Sequence, residues 1–133
     1  LITKFRLDDY DLIIALGEAR MRDELTLELL AKNISSCSLP DNSGLIRKDE
    51  VINNDYGEVI KTGVSLLGLE ELVKFSKDAG KFVCNNLYFH LLANYPNKAI
   101  FIHIPNCHDN IKEYLKNAEK IKKIINKIEN GGK

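Results

Sequence analysis

Cys84 is the residue whose type and position in this sequence best suit nucleophilic chemistry. It follows an extended apolar segment and a small-residue turn at Ala79 and Gly80, after which a helical pattern begins. Cys84 therefore falls in the first turn of the predicted helix, where backbone amides lack intrahelical partners and the helix dipole is positive. A thiol there can lose its proton more easily than a free cysteine, whose pKa is about 8.5.

The same cysteine also suits a packing role. The i, i+3, i+4, i+7 spacing of one helix face is shared by Cys84, Leu87, Tyr88 and Leu91. Free cysteine is among the most buried residue types, and helical spacing does not report exposure. On spacing alone, the pattern favours a core position for Cys84 over a nucleophile.

His103 is the one polar side chain in a strongly apolar run, residues 99–104, which Pro105 closes. The β-branched content of this run predicts a strand. A lone histidine in an apolar strand is more often a core residue than a catalytic one. Its position near the strand's C-terminal end favours a functional site, because ligands in open α/β sheets bind beyond that end.

Glu28 belongs to a segment, residues 25–31, whose pattern suits two structures. Its alternating leucines predict a strand, although the spacing of Leu27 and Ala31 would also suit a helix. In a strand, Glu28 points the same way as the apolar Leu30. A carboxylate partly buried in this way needs a partner, so the sequence predicts a histidine or an arginine beside it.

The elements that must position these residues alternate between strands and helices. Residues 10–16 form a continuous apolar run typical of a parallel strand covered on both faces, and Gly17 is predicted to end it. Helices are predicted from residue 80 to about 94 and from residue 109 or 110 to 129. This alternation predicts an α/β fold, a three-layer α/β/α sandwich with a mostly parallel central sheet, in a single domain over residues 1–133.

The connecting segments carry weaker signals. Residues 18–23 include Arg20 and Arg22, which suit either a solvated loop or an anion contact at the end of a strand. The sequence predicts a loop with a turn at residues 40–44, a surface excursion over residues 47–63, and a short helix followed by an extended segment over residues 66–75. One apolar stripe on the last helix is formed by Ile111, Tyr114, Leu115, Ala118, Ile121, Ile125 and Ile128.

Composition and charge indicate which partners and which cellular compartment to expect for this protein. The 19 basic and 19 acidic side chains among 133 residues give a formal net charge of zero, so electrostatics predicts neither nucleic acid nor a membrane surface as a partner. No apolar run approaches the ~18 residues that span a bilayer. Three cysteines without metal-ligand spacing, and no signal-peptide pattern, predict free thiols in the reducing cytoplasm. A metal site that combined the adjacent Cys107 and His108 with His90 or His103 would lack the usual ligand spacing.

The sequence around these residues resembles the pyroglutamyl peptidases of the type I cysteine class, also called pyrrolidone carboxyl peptidases. That family's Ser-x-x-Ala-Gly-x-Phe/Tyr-aliphatic-Cys-Asn block matches residues 76–85. Its aliphatic-Ser/Thr-x-Glu-x-x-Ala-x-Asn block, preceded by a glycine, matches Gly17 and residues 25–33. Its Pro-Asp-Asn-x-Gly turn and its Phe-Ile-His-aliphatic-Pro strand end match residues 40–44 and 101–105.

The resemblance implies a Cys-His-Glu triad that removes an N-terminal pyroglutamate from a peptide through an acyl-enzyme. Cys84 would be the nucleophile, His103 the base that takes its proton, and Glu28 the carboxylate that orients the imidazole. The substrate-binding residues that the resemblance implies are Phe82, Val83 and Arg22. It implies no metal or organic cofactor, and it implies association into a homo-oligomer.

The chain also departs from the family pattern. The family's N-terminal strand and its Gly-Phe-Glu-Pro-Phe-Gly-like loop, whose aromatic side chains clamp the pyroglutamyl ring, have no counterpart upstream of Asp11. Leu29 replaces a basic residue after the acid, and Arg20 and Met21 replace a turn containing glycine and proline. We therefore expect either a fragment of a longer protein or a reduced relative. The alternative function is a catalytically inactive assembly or interaction module.

Overall fold

The computed structural model describes residues 6–36, 44 and 48–131, which fold into six strands, two α-helices and one 3₁₀ turn. The strands are β1 (Ile13–Ala19), β2 (Thr26–Glu28), β3 (Leu30–Lys32), β4 (Val59–Lys61), β5 (Lys74–Ser76) and β6 (Ala99–Pro105). The helices are α1 (Val83–Asn94) and α2 (Ile111–Glu129), and the 3₁₀ turn covers Leu7–Asp9.

The central sheet has four strands in the order β1-β6-β2-β5. β1 runs parallel to β6, and β5 runs parallel to β2, whereas β2 and β6 are antiparallel. β3 and β4 form a separate antiparallel pair. Two of the three pairings in the central sheet are therefore parallel, which confirms the predicted mostly parallel sheet.

The two helices cover opposite faces of this sheet. On one face, Ile100 and Ile102 of β6 pack in a buried cluster with Ile124 of α2. On the other face, Phe101 of β6 packs in a second cluster with Tyr88 of α1. Because side chains alternate along a strand, one apolar run supplies both clusters, and the predicted three-layer α/β/α arrangement is confirmed.

Several predicted bounds were wrong. Gly17 does not end the first strand but lies inside β1, which continues to Ala19. Residues 25–31 form neither one strand nor a helix, because β2 joins the central sheet and β3 pairs with β4. The segment around residues 66–72 makes turns rather than a helix, and the predicted surface excursion contains β4.

The buried face of α2 also differs from the predicted stripe. Ile111 and Leu115 are 71% and 61% exposed, whereas Asn117 and Ile124 are buried. The side chain of Asn110 accepts a hydrogen bond from the Glu113 amide, which confirms one of the two predicted N-caps. The predicted turn at residues 40–44 lies outside the described residues except for Gly44.

In the part of the chain that the structure describes, neither α-helix has the length and apolar character that crossing a membrane requires.

Candidate active site

Glu28 and His103 meet on the face of the sheet that α1 covers. The antiparallel register pairs Thr26 with His103 and Glu28 with Phe101, so the two ionisable side chains project from neighbouring strands. His103 Nδ1 lies 2.8 Å from Glu28 Oε1, and both side chains are buried. With Nδ1 against the carboxylate, the other ring nitrogen, Nε2, is the one that can exchange a proton with a neighbouring group.

Arg22 compensates the charge of the buried carboxylate. Its Nη2 donates to Glu28 Oε1 at 2.9 Å, to Ser76 Oγ at 3.0 Å and to the backbone oxygen of Asp78 at 2.6 Å. The sequence predicted a histidine or an arginine beside Glu28, and the structure provides both. Because Nη2 is engaged in this way, a contact between Arg22 and substrate would have to come from its other guanidinium nitrogens.

Further contacts hold the pair in place. The Tyr88 hydroxyl donates to the backbone oxygen of Glu28 at 2.8 Å and so joins α1 to β2. The rings of Phe101 and His103 pack with their centroids 4.7 Å apart. Glu28 Oε2 is buried and has no hydrogen-bond partner among the described residues. All hydrogen bonding of this carboxylate therefore converges on Oε1, between the arginine and the histidine.

Cys84 is the second residue of α1. The predicted turn before it is present, with Gly80 at a φ of +82°, but the helix begins at Val83 rather than at Gly80. Asp78 Oδ1 accepts from the Gly80 amide at 2.9 Å, which fixes the turn. A hydrogen bond from the Lys32 ammonium lowers the pKa of the Asp78 carboxyl, so this contact is charged on both sides at neutral pH.

The thiol of Cys84 lies close to Gly17 of β1 and lines the same cleft as His103. A methyl group at Gly17 would be only 3.0 Å from Cys84 Sγ and 2.9 Å from Phe101 Cζ. Gly17 is also the register partner of His103 in the parallel β1–β6 pair. The absence of a side chain at residue 17 therefore lets the sulfur approach the strand next to the histidine.

The environment of this thiol opposes its ionisation. Burial raises the pKa of the Cys84 thiol above its ordinary value, and the negative charge of Glu28 raises it further. The sequence predicted the opposite direction from the helix N-terminus alone, and that prediction was wrong because it left out burial and the carboxylate. At neutral pH the resting thiol keeps its proton, so its attack requires a base.

We expect the alkylation of Cys84 by iodoacetamide to be slow at pH 7 and to accelerate with a midpoint above the free-thiol value of about 8.5, because only the thiolate reacts. The rate is measured in a variant in which Cys37 and Cys107 are replaced by serine. Removing the charge in Glu28→Gln should move the midpoint down. A midpoint below that of a free thiol would contradict the assignment.

A cleft of about 600 Å³ opens above this site. Its walls include five of the residues that the sequence singled out, namely Arg22, Phe82, Val83, Cys84 and His103. Phe82 and Val83 are 54% and 80% exposed there, so they present apolar surface to an incoming ligand. Glu28, the sixth residue, lies buried behind His103. The structure therefore brings all six predicted residues to one place.

Comparison with known proteins fits this arrangement. A family model described as pyroglutamyl peptidase matches residues 3–128, nearly the whole chain. This chain belongs to the pyroglutamyl peptidase family. The family resemblance inferred from the four sequence blocks is thereby confirmed.

Two curated relatives of the pyroglutamyl peptidase family show the extent of the match. The pyrrolidone-carboxylate peptidase of Thermosipho africanus is 36% identical over 107 residues, which cover 71% of this chain and 52% of that protein. The pyrrolidone-carboxylate peptidase of Finegoldia magna is 33% identical over 107 residues, 71% of this chain and 50% of that protein. The chain thus spans about half the length of the curated relatives it matches.

Solved structures share the fold. The pyrrolidone carboxyl peptidase of Pyrococcus furiosus superposes with a TM-score of 0.76 at 22% identity, covering 99% of this chain and 76% of that one. The enzyme of that name from Fervidobacterium islandicum superposes with a TM-score of 0.75 at 21% identity, covering 97% and 74%. At these identities the likeness establishes the α/β architecture of the pyroglutamyl peptidase family for this chain.

Asn85 is a residue of the site whose role the sequence did not reveal. Its buried side chain accepts from the Lys32 amide at 2.8 Å and donates to the backbone oxygens of Lys32 and Ile34 at 2.9 and 3.1 Å. These bonds join the first turn of α1 to β3 and so position the neighbouring Cys84. The available signal was an asparagine directly after the candidate nucleophile, in the first turn of the predicted helix.

Replacing Asn85 with alanine is expected to lower the free energy of unfolding by about 2–4 kcal/mol, because it leaves buried backbone groups without their partner. Urea unfolding followed by circular dichroism measures the change. Asn94→Ala is the matched control on the same helix, where the exposed side chain donates only to the His90 backbone oxygen. Equal effects of the two substitutions would contradict the positioning role of Asn85.

The metal site considered from the sequence has no support. Within residues 6–36, 44 and 48–131, no three histidine, cysteine or acidic side chains are grouped so as to hold a metal ion. Cys107 Sγ instead donates to the backbone oxygen of Pro105 at 3.4 Å and lies 3.8 Å from Asn117 Nδ2. The contacts of the Cys107 thiol are thus with Pro105 and Asn117.

Proposed function

We propose that this protein is a cysteine-type omega-peptidase that removes an N-terminal pyroglutamate from peptides, with residues 1–133 acting as a single domain. The observation that carries the proposal is the 2.8 Å contact between Glu28 and His103 beneath a cleft that Cys84 also lines. Membership of the pyroglutamyl peptidase family, whose matched relatives are named pyrrolidone-carboxylate peptidases, supports the choice of substrate.

In the proposed reaction, the Cys84 sulfur attacks the pyroglutamyl carbonyl carbon while the thiol proton passes to His103 Nε2. A carbon–sulfur bond forms, and the resulting oxyanion is held by backbone amides of the first turn of α1. His103 then gives the proton to the departing amine, and the peptide leaves. Glu28 accepts the Nδ1 hydrogen bond throughout and stabilises the positive charge on the imidazole.

The second half of the reaction hydrolyses the acyl-enzyme. His103 removes a proton from water, which attacks the thioester carbonyl. The carbon–sulfur bond breaks, His103 returns that proton to the Cys84 sulfur, and pyroglutamic acid is released. The raised pKa of the Cys84 thiol suits this cycle, because the protein does not stabilise a free thiolate between turnovers. Transfer of the proton to His103 therefore accompanies the attack rather than preceding it.

The proposal also covers substrate binding, the cellular compartment and the oligomeric state. The exposed side chains of Phe82 and Val83 supply apolar contacts to the pyroglutamyl ring, and Arg22 stands at the same wall of the cleft. A reducing compartment such as the cytoplasm suits an enzyme with a free catalytic thiol. Association into a homo-oligomer is supported by Ile111 and Leu115, which lie one helical turn apart on α2 and are exposed.

The test is hydrolysis of pyroglutamyl-aminomethylcoumarin by the protein and by three variants. We expect turnover by the wild type and by Cys107→Ala, and loss of turnover in Cys84→Ala and His103→Ala. Activity that persists without Cys84 would overturn the nucleophile assignment. Absence of activity in the folded wild type would overturn the proposed function.

The second candidate function is a catalytically inactive relative that serves as an assembly or interaction module. The observation that favours it is exposed apolar surface around the cleft, where Met21 is 93% and Val83 is 80% exposed. It predicts that the folded wild type does not turn over pyroglutamyl-aminomethylcoumarin. Turnover that is lost in Cys84→Ala would count against this candidate.

A further inference from the structure

Glu28 Oε1 contacts two side chains that can each carry a positive charge. Arg22 Nη2 lies 2.9 Å and His103 Nδ1 lies 2.8 Å from this oxygen. Glu28 and His103 are buried, whereas the Arg22 side chain is 29% exposed. A guanidinium stays charged in proteins, and water on its exposed side lowers the cost of keeping that charge here. One buried carboxylate thus has two available counter-ions.

The neighbouring titratable groups are neutral or paired with each other. On α1, burial raises the pKa of the Cys84 thiol and of the Tyr88 hydroxyl, so both keep their protons at neutral pH. At the turn before α1, Asp78 Oδ1 lies 3.0 Å from Lys32 Nζ, so these two opposite charges balance. None of these four groups therefore takes the place of Arg22 as the counter-ion of the carboxylate.

The strands on either side of the pair bring uncharged residues to it. Gly17 of β1 is in register with His103, and Ser76 of β5 is in register with Glu28. The Ser76 hydroxyl accepts a hydrogen bond from Arg22 Nη2 at 3.0 Å. The fixed charges at Oε1 are thus one negative charge on Glu28 and one positive charge on Arg22, which balance without a proton on the imidazole.

This balance bears on the protonation state of His103. A carboxylate with no other cation beside it favours an imidazolium, because an opposite charge stabilises the protonated ring. The Arg22 guanidinium supplies that opposite charge at the same oxygen, and it repels a second positive charge on His103. An imidazolium has no free nitrogen to take the Cys84 proton, whereas a neutral ring that donates from Nδ1 leaves Nε2 free.

We propose that Arg22 is a positioning residue: it is the resting counter-ion of Glu28 and thereby keeps His103 neutral, so that the imidazole can accept the thiol proton. This inference rests on the proposed function, because it assigns how the base of that reaction is prepared. Glu28 then faces a positively charged His103 only while the proton is in transit. Substrate binding by Arg22, in contrast, uses its other guanidinium nitrogens and changes KM.

The pH dependence of kcat/KM for pyroglutamyl-aminomethylcoumarin provides the first test, because its acidic limb reports protonation of the base in the free enzyme. In Arg22→Met, which removes the charge and keeps an unbranched side chain, we expect the midpoint of this limb to move up by about one pH unit, since His103 becomes the counter-ion. In Arg22→Lys the midpoint should stay at the wild-type value. One nitrogen makes all three described Arg22 contacts, and an ammonium also has three donors.

Arg20→Met is the matched control for the loss of a positive charge. Arg20 lines the same cleft, but among the described residues it has no hydrogen bond to Glu28. Its acidic limb should keep the wild-type midpoint whatever happens to KM, and circular dichroism establishes that the variants fold. An unshifted limb in Arg22→Met with a raised KM would overturn the inference and assign Arg22 to substrate binding. An equal shift in Arg20→Met would overturn it as well.

Nuclear magnetic resonance of ¹⁵N-labelled histidine rings gives a test that needs no turnover. The signals lost in His103→Gln identify the ring. In the wild type at neutral pH they should show a neutral imidazole with its proton on Nδ1, and in Arg22→Met a larger imidazolium fraction. The exposed His90 and His108 are internal controls that should not change.

An imidazolium at His103 in the wild type would overturn the inference, and this observation requires no variant at Arg22 to fold. A neutral ring that stays neutral to the same extent in a folded Arg22→Met protein would also overturn it. Failure of the wild type to hydrolyse the substrate overturns the proposed function instead. In that case the ring protonation still decides whether Arg22 is the resting counter-ion of Glu28.

Discussion

Glu28→Gln is expected to lower kcat/KM for a pyroglutamyl amide by roughly 10²- to 10⁴-fold, because replacing a triad carboxylate by its amide can cost about 10⁴-fold in kcat. The substitution preserves the shape of the side chain but removes the charge that stabilises a protonated His103. It also removes the charged partner of Arg22, whose Nη2 lies 2.9 Å from Glu28 Oε1. Steady-state hydrolysis of pyroglutamyl-aminomethylcoumarin measures the loss.

The control for this prediction is Glu119→Gln. Glu119 pairs with Lys122 at 3.3 Å on the exposed side of α2, where an ion pair contributes little. We expect wild-type kcat/KM from this variant, and circular dichroism establishes that both variants fold. Wild-type activity in a folded Glu28→Gln protein would show that the buried carboxylate is structural rather than part of the catalytic group.

Gly17→Ala is expected to reduce kcat/KM by about ten- to a hundredfold and to destabilise the fold by about 1–3 kcal/mol, because overpacking forces neighbouring atoms to move. The new methyl group would meet the Phe101 ring at 2.9 Å and Cys84 Sγ at 3.0 Å. Displacing the sulfur separates it from His103, while the Glu28–His103 contact is retained. Kinetics and urea unfolding on the same preparation measure both effects.

Gly57→Ala is the matched control for that substitution. A methyl group at Gly57 meets no atom within 4 Å, so the change is expected to leave activity and stability near the wild-type values. If Gly17→Ala behaved in the same way, the close approach of the thiol to β1 would have no part in function.

The residue types of the candidate site could be predicted from local sequence patterns, for a physical reason. The apolar runs that become β1 and β6, and the turn at Ala79 and Gly80 before α1, depend on neighbouring residues and on backbone preferences. A histidine or glutamate inside such a run stands out because a buried charge needs a partner. The residue types of the site were therefore predictable.

The pairing of residues distant in sequence was not predictable in this way. Residues 25–31 divide between two sheets because β2 pairs with β6 and β5, whereas β3 pairs with β4. The leucine alternation is compatible with both pairings, so it could not place the boundary at Leu29. The exposure of Ile111 and Leu115 was unpredictable for the same reason. Packing against the sheet decides which face of α2 is buried, and the sequence of the helix alone does not show this.

The sequence by itself determined that this chain has an α/β fold, that it resembles the pyroglutamyl peptidases, and which cysteine, histidine and glutamate are the candidates for catalysis. These properties follow from residue type and short-range spacing. The tertiary structure alone decided that Arg22 shares Glu28 Oε1 with His103 and that Gly17 admits the Cys84 sulfur. It also decided the direction of the thiol pKa, because Cys84 is buried near the charge of Glu28 only when α1 and β2, which are distant in sequence, are folded together.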